Sequence, residues 1–245
     1  MSTAQLKTTN QLKFDKEDFK SFLSGLLKVS DNAILHIETD RIYAISASED
    51  RSLFLWSTLE GEFDDTAVLN LPSLKKLYKA LDLVPDKVVT FTNNSNNLEF
   101  KGSKVKFKYH LYGDGILVAP KLTLAKIKSL KYEYKFLIDK DFLKQILKNS
   151  SVFNDTNKLY VFTKDDHLVW SMGDKTMANT DVLTFIGDKV DFEMDEFILN
   201  LDNVRLLSMG KEADFIMEVN KMGIGKISLK NGEVQLNYIL SSLTK

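Results

Sequence analysis

Apolar side chains recur at helical spacing near the start of the chain. Phe19, Phe22, Leu23, Leu26 and Leu27 form one stripe, which predicts an amphipathic helix over residues 16–28. Strand-like runs follow at 33–39, 42–48 and 52–59, and again at 66–71 after an acidic stretch. Pro72 then suits a first helical position, opening a helix to Leu81 with Leu74, Leu77, Tyr78 and Leu81 on its apolar face. Strands at 87–92 and 98–101 flank Asn93–Asn97, a turn-rich segment that reads as a hairpin. Residues 104–112 alternate Val105, Phe107, Tyr109 and Leu111 with polar neighbours, as a half-buried strand should.

The same order then recurs. Phe142, Leu143, Ile146 and Leu147 mark a helix, followed by strands at 158–163, 167–172 and 181–185. Residues 196–201 lead into a second helix through Met209, and strands at 213–219, 224–229 and 233–240 finish the half. Lys16, Lys20, Leu23 and Leu35 align with Lys140, Lys144, Leu147 and Leu159 at one offset, and Val105, Phe107 and Tyr109 align with Val234, Leu236 and Tyr238. A repeat this long means duplicated domains, not a solenoid. Within each half, strand–helix–three strands itself occurs twice. The expected class is α+β, with a tail over 1–10, domains at 11–112 and 134–245, and an extended connector at 113–133 broken by Gly113, Gly115 and Pro120.

Composition narrows the function. The 245 residues contain no cysteine, so thiolate metal sites and disulfides are excluded. No apolar run is long enough to span a bilayer as a helix, and the polar first ten residues are unlike a secretion signal, so an intracellular site is expected. Net charge is −1, yet lysines crowd the helices. Lys16, Lys20 and Lys28 lie opposite the first apolar stripe, and Lys140, Lys144 and Lys148 repeat the pattern. Lys75, Lys76 and Lys79 join them from one second helix, and Arg205 and Lys211 from the other. Residues four apart share a helix face, where like charges cost about 0.2–0.5 kcal/mol per pair unless an anion offsets them. One such helix is explained by solvation alone; its recurrence in both halves points to a polyanion. Lysine suits phosphates, and no Asn/Gln/Arg set for base edges accompanies it, so the expected contact is sequence-independent duplex DNA binding.

Catalytic chemistry is not legible. Gly223-Ile224-Gly225-Lys226 imitates the end of a phosphate loop, but Asn220 and Ile227 occupy its required glycine and hydroxyl positions. His36, His110 and His167 sit on separate strands, and Asp165-Asp166-His167 reads as a hairpin turn. No cofactor or metal is expected, nor an enzyme. Two rival readings remain: a two-domain phosphoesterase acting on nucleic acid, and a phage structural protein with duplicated domains.

Taken together, the repeated domain, the paired basic helices and the connector resemble DNA sliding clamps of the proliferating cell nuclear antigen kind, most of all the trimeric clamps of T-even-like bacteriophages. Val118-Ala119-Pro120, Glu196–Leu201 and Asn237–Leu240 carry the similarity. It implies a homotrimeric ring around duplex DNA in the cytoplasm or nucleoid of an infected bacterial cell. A clamp-loader ATPase would load it, and the C-terminal peptide of a DNA polymerase would be tethered to it. Late-transcription factors, which some phage relatives serve, extend the partner list. The resemblance places a partner-peptide pocket at Leu117, Val118, Ile239 and Ser241. It also places the subunit interface between edge strands 104–111 and 175–184, with Val105, Phe107, Tyr109, Met177 and Val182. Three chains would supply twelve helices. At about 9–10 Å spacing these trace a circle of about 35–38 Å, leaving a hole of roughly 25 Å once a helix width of about 10–12 Å is removed.

Overall fold

The computed structural model describes residues 10–151, 157–173, 175, 181–207 and 215–243. The first half runs β1 (Asn10–Asp15), α1 (Lys16–Leu27), β2 (Ala33–Ile37), β3 (Arg41–Ala47), β4 (Leu53–Glu60), β5 (Ala67–Leu71), α2 (Leu74–Leu81), β6 (Val88–Asn93), β7 (Asn97–Lys101) and β8 (Lys106–His110). A short helix, α3 (Leu124–Ser129), comes next. The second half runs β9 (Tyr134–Ile138), α4 (Lys140–Ser150), β10 (Lys158–Lys164), β11 (His167–Met172), β12 (Leu183–Lys189), β13 (Phe197–Asn200), α5 (Leu201–Leu207), β14 (Phe215–Val219), β15 (Ile224–Asn231) and β16 (Val234–Ser241). Each half is therefore strand–helix–three strands written twice. The α+β class and the duplication are both present.

Contacts divide the chain into two compact units, one holding residues to Ala47, Leu55–Leu124 and Lys230–Leu236, the other Ser48–Phe54, Ala125–Leu229 and residues from Asn237 onward. In the first unit, β1-β6-β7-β8 form an antiparallel sheet, with Asn10 opposite Asn93 and Asp15 opposite Val88. A second set of strands has the order β5-β2-β3-β4, and beyond β4 the Glu60 N–H donates to the Glu233 carbonyl at 3.0 Å. Phe14 stacks on Phe19 at 4.3 Å and tilts against Phe91, joining sheet to helix in the core. The apolar stripe predicted for α1 is the buried one, with Phe19, Phe22, Leu23 and Leu26 at most 1% exposed.

The second unit repeats these orders, as β13-β10-β11-β12 and β9-β14-β15-β16. Trp170, fully buried, receives Phe136 and Phe142 edge-on at 6.2 and 5.8 Å. The Asp165–Asp166 turn between β10 and β11 has both residues at positive φ, 50° and 59°. This is the hairpin geometry in which short Asp side chains are tolerated.

Several boundaries move. Asn10, expected in the tail, opens β1, and residues 1–9 lie outside the described set. Pro72 is not a first helical residue: Ser73 is the N-cap and the helix starts at Leu74. A helix occupies part of the connector, because Ile127 is buried and anchors one turn of it. β12 begins two residues later and ends four later than the expected 181–185. Gly187 and Asp188 look like breakers, but the sheet accepts a glycine there. A side chain at 187 would meet the Leu168 carbonyl at 3.1 Å.

Candidate nucleic-acid interface

The helix ends are built the same way in both halves. Asp15 caps α1, accepting from Glu17 and Asp18 N–H groups, and Asp139 caps α4, accepting from Asp141 and Phe142. These carboxylates satisfy donors that the first helical turn leaves open and sit at the positive end of the helix. The second helices are capped from a distance. Leu74 N–H donates to the Asp31 carbonyl and Lys75 N–H to the Asp31 carboxylate, at 2.6 and 2.8 Å. Leu201 and Asp202 N–H groups use the carbonyl and side chain of Asn157 in the same pattern, at 2.9 and 3.2 Å. In each half, a residue just before the second strand thus fixes the start of the second helix.

The lysines divide into two kinds. On α1, Lys16 Nζ donates to the Val84 carbonyl at 3.2 Å, and Lys20 Nζ donates to Asp82 at 2.6 Å and sits 4.9 Å above the Tyr78 ring. Their side chains are only 19% and 17% exposed. The bond to Asp82 raises the Lys20 pKa, whereas burial lowers that of Lys28, which lies just past the helix as its C-cap. These three tie α1 to its surroundings more than they face solvent. By contrast Lys75, Lys76 and Lys79 on α2 are exposed, as are Lys140, Lys144 and Lys148 on α4. Lys144 pairs with Asp141 at 3.2 Å, a solvated i, i+3 pair of small energetic weight. Arg205 is a residue of α5, and Lys211 lies outside the described residues. The first residues of α5 carry Asp202 where α2 carries Lys75, so basic charge at that turn is not duplicated.

The connector exposes Val118 at 89% and Ile116 at 59%, with Leu117 half-buried between them. Asn70 holds its start: its carbonyl accepts from Tyr112 N–H at 2.9 Å and its side-chain amide donates to Asp114 at 3.1 Å. Ser241 is exposed, whereas Ile239 is turned into the core at 3% exposure, leaving little of its side chain for a ligand.

Two strands in comparable places have one neighbour each among the described residues: β8, beside β7, and β12, beside β11. Val105 and Phe107 are half-buried at the first of these edges. Tyr109 points inward. Its hydroxyl donates to the Ser73 carbonyl at 2.8 Å and accepts from Ser73 N–H at 3.0 Å, and burial pushes its pKa up to about 12. Val182 is 49% exposed just before β12, and Met177 lies outside the described residues. Lys175 belongs to no strand; it pairs with Glu196 and sits 4.5 Å above the Tyr160 and Phe162 rings.

Three solved structures share this architecture. A proliferating cell nuclear antigen from A. fulgidus, solved with the C-terminal region of FEN-1 bound, superposes with a TM-score of 0.75 at 11% identity, covering 96% of this chain and 99% of that one. The same antigen from Entamoeba histolytica gives 0.72 at 12% identity, with 96% and 99% covered. A putative DNA polymerase III beta subunit from Eubacterium rectale gives 0.75 at 14% identity, covering 100% of this chain and 68% of that one. The chain has the sliding-clamp fold. Neither a protein-family model nor a curated protein matches it in sequence. Among the described residues there is no cluster of three or more His, Cys, Asp or Glu suited to a metal, and no helix is long and apolar enough to cross a membrane.

Proposed function

We propose that the chain is a DNA polymerase processivity factor: a sliding clamp whose three copies close a ring around duplex DNA. The observation that carries this reading is the pair of open edges, β8 and β12. At their counterparts in the repeat, within the first unit, the Glu60 N–H at the end of β4 donates to the Glu233 carbonyl just before β16. Running β8 of one copy along β12 of the next repeats that pairing head to tail, and a head-to-tail contact closes a ring when its rotation permits. It also covers edge strands that otherwise invite uncontrolled pairing.

Exposed lysines on α2 and α4 supply the surface that tracks phosphates without reading bases. The exposed connector around Ile116 and Val118 is where a polymerase C-terminal peptide docks. The A. fulgidus antigen, solved with the terminal region of another protein, supports that mode of attachment. A clamp-loader ATPase opens the ring. Late-transcription factors share the connector in a phage setting, inside the infected bacterial cell. Ring closure uses no cofactor and makes no covalent bond, so the protein is not an enzyme.

The test is topological. After loading, the protein stays on nicked circular DNA many times longer than on the same DNA made linear. Equal loss from both forms would falsify encirclement.

A further inference from the structure

Helices α1 and α2 pack against each other in the first unit, and an ion pair ties the middle of one to the end of the other. Asp82, the C-cap of α2, takes the Lys20 ammonium at 2.6 Å. The Tyr78 ring, one turn earlier on α2, supports the same ammonium from 4.9 Å. A carboxylate and a π face thus hold one cation between them. Lys20 is largely covered in this position, whereas the Asp82 side chain is 53% exposed. The carboxylate is the part of the pair that meets solvent, on a helix whose other charged residues, Lys75, Lys76 and Lys79, are exposed cations.

The repeat shows that the fold does not require this arrangement. The helix caps align the halves, Asp15 with Asp139 and Asp31 with Asn157. Lys144 then stands in the place of Lys20, Arg205 in that of Tyr78 and Met209 in that of Asp82. Neither the ring nor the carboxylate is repeated in the sequence. Lys144 pairs instead with Asp141 on its own helix, at 3.2 Å, with side chains 59% and 75% exposed. A solvated pair of this kind gives way readily to another anion. Of two lysines at matched positions, one is held from the neighbouring helix and the other is open.

We propose that Asp82 restrains the grip on DNA: it withholds Lys20 from the phosphates, so each chain follows the duplex with one helix lysine fewer than its sequence offers. The proposal rests on the clamp reading and adds what sets the strength of the contact. A phosphate recruits Lys20 only by displacing the Asp82 carboxylate. That carboxylate is then left without its cation beside the incoming anion, and the two repel. The exchange is therefore unfavourable, and Lys20 stays on α2. Each lysine that does reach a phosphate releases counterion and steepens the fall of log affinity with log salt by about 0.9. Withholding one keeps the contact loose, as suits a ring that must move along the duplex.

Linear DNA is the sensitive substrate, because a ring leaves it by sliding off an end, whereas on a nicked circle the ring must open. The lifetime of the loaded protein is measured on both forms over a range of salt concentrations. Asp82→Asn lengthens the lifetime on linear DNA at least about three-fold near 0.1 M salt and steepens its salt dependence. Asp82→Ser does the same, and Asp82→Glu, which keeps the charge, returns the lifetime toward that of the unaltered chain. In a Lys20→Gln background, Asp82→Asn adds nothing. Equal lengthening in both backgrounds overturns the proposal, since the effect is then general repulsion and not the release of Lys20. An unaltered lifetime in both Asp82→Asn and Asp82→Ser also overturns it. Either result leaves the ring standing. Equal loss of the unaltered protein from linear and circular DNA overturns the clamp reading, and the proposal with it.

Discussion

Tyr109 shows how much a single residue can do that pattern alone does not reveal. Alternation with Val105 and Phe107 marks it as inward-facing, but nothing in the sequence says that its hydroxyl closes a loop onto Ser73, 36 positions away. That hydroxyl both donates to and accepts from the backbone beside the N-cap of α2. Tyr109→Phe therefore leaves two backbone groups without their partner and costs about 1–3 kcal/mol, read as a lower denaturant midpoint with unchanged slope. His36 carries a pH effect. Half-buried and stacked on Tyr43 at 4.8 Å, its imidazole has a pKa lowered by burial. The unfolded chain takes up that proton first, so stability falls as pH drops through and below about 6.5, the ordinary value. The slope of stability between pH 5 and 7 should shrink in His36→Gln; an unchanged slope would assign it to other groups.

At the scale of elements, the two basic stripes were legible as spacing but not as exposure. Lys16 and Lys20 match Lys140 and Lys144 in sequence, yet Asp82 and the Val84 carbonyl engage the first pair, while Lys140 and Lys144 stay exposed. Exposure on α1 is decided by residues just past the end of α2, and those are remote in sequence from α1. Charge reversal at Lys76 and Lys144 together is thus the informative change. It should speed loss from nicked circular DNA several-fold and flatten the salt dependence, with the circular-dichroism spectrum unaltered. The same reversal at Lys20 should cost stability through its pair with Asp82, and retention of DNA should fall less. Strands β1 and β9 escaped the pattern because each runs directly into a helix, with Asp15 and Asp139 serving as caps and no breaker between. β12 runs past the expected end at 185 and through Gly187, where the Leu168 carbonyl comes close.

For the whole molecule, duplication was the strongest legible signal, because it needs only residue types in register. The sheets then reveal what register cannot: which strand edges are paired and which are open. Within the first unit the end of β4 is bonded to the turn before β16, whereas β8 and β12 have one neighbour each among the described residues, and the proposed ring rests on that contrast. The expected partner pocket was the least legible part, since apolar residues such as Ile239 and Val118 look alike in sequence and differ in exposure from 3% to 89%. Sedimentation equilibrium at micromolar concentration tests the central claim most directly. A closed ring gives a single species of three chains; a single species of one chain would contradict ring formation.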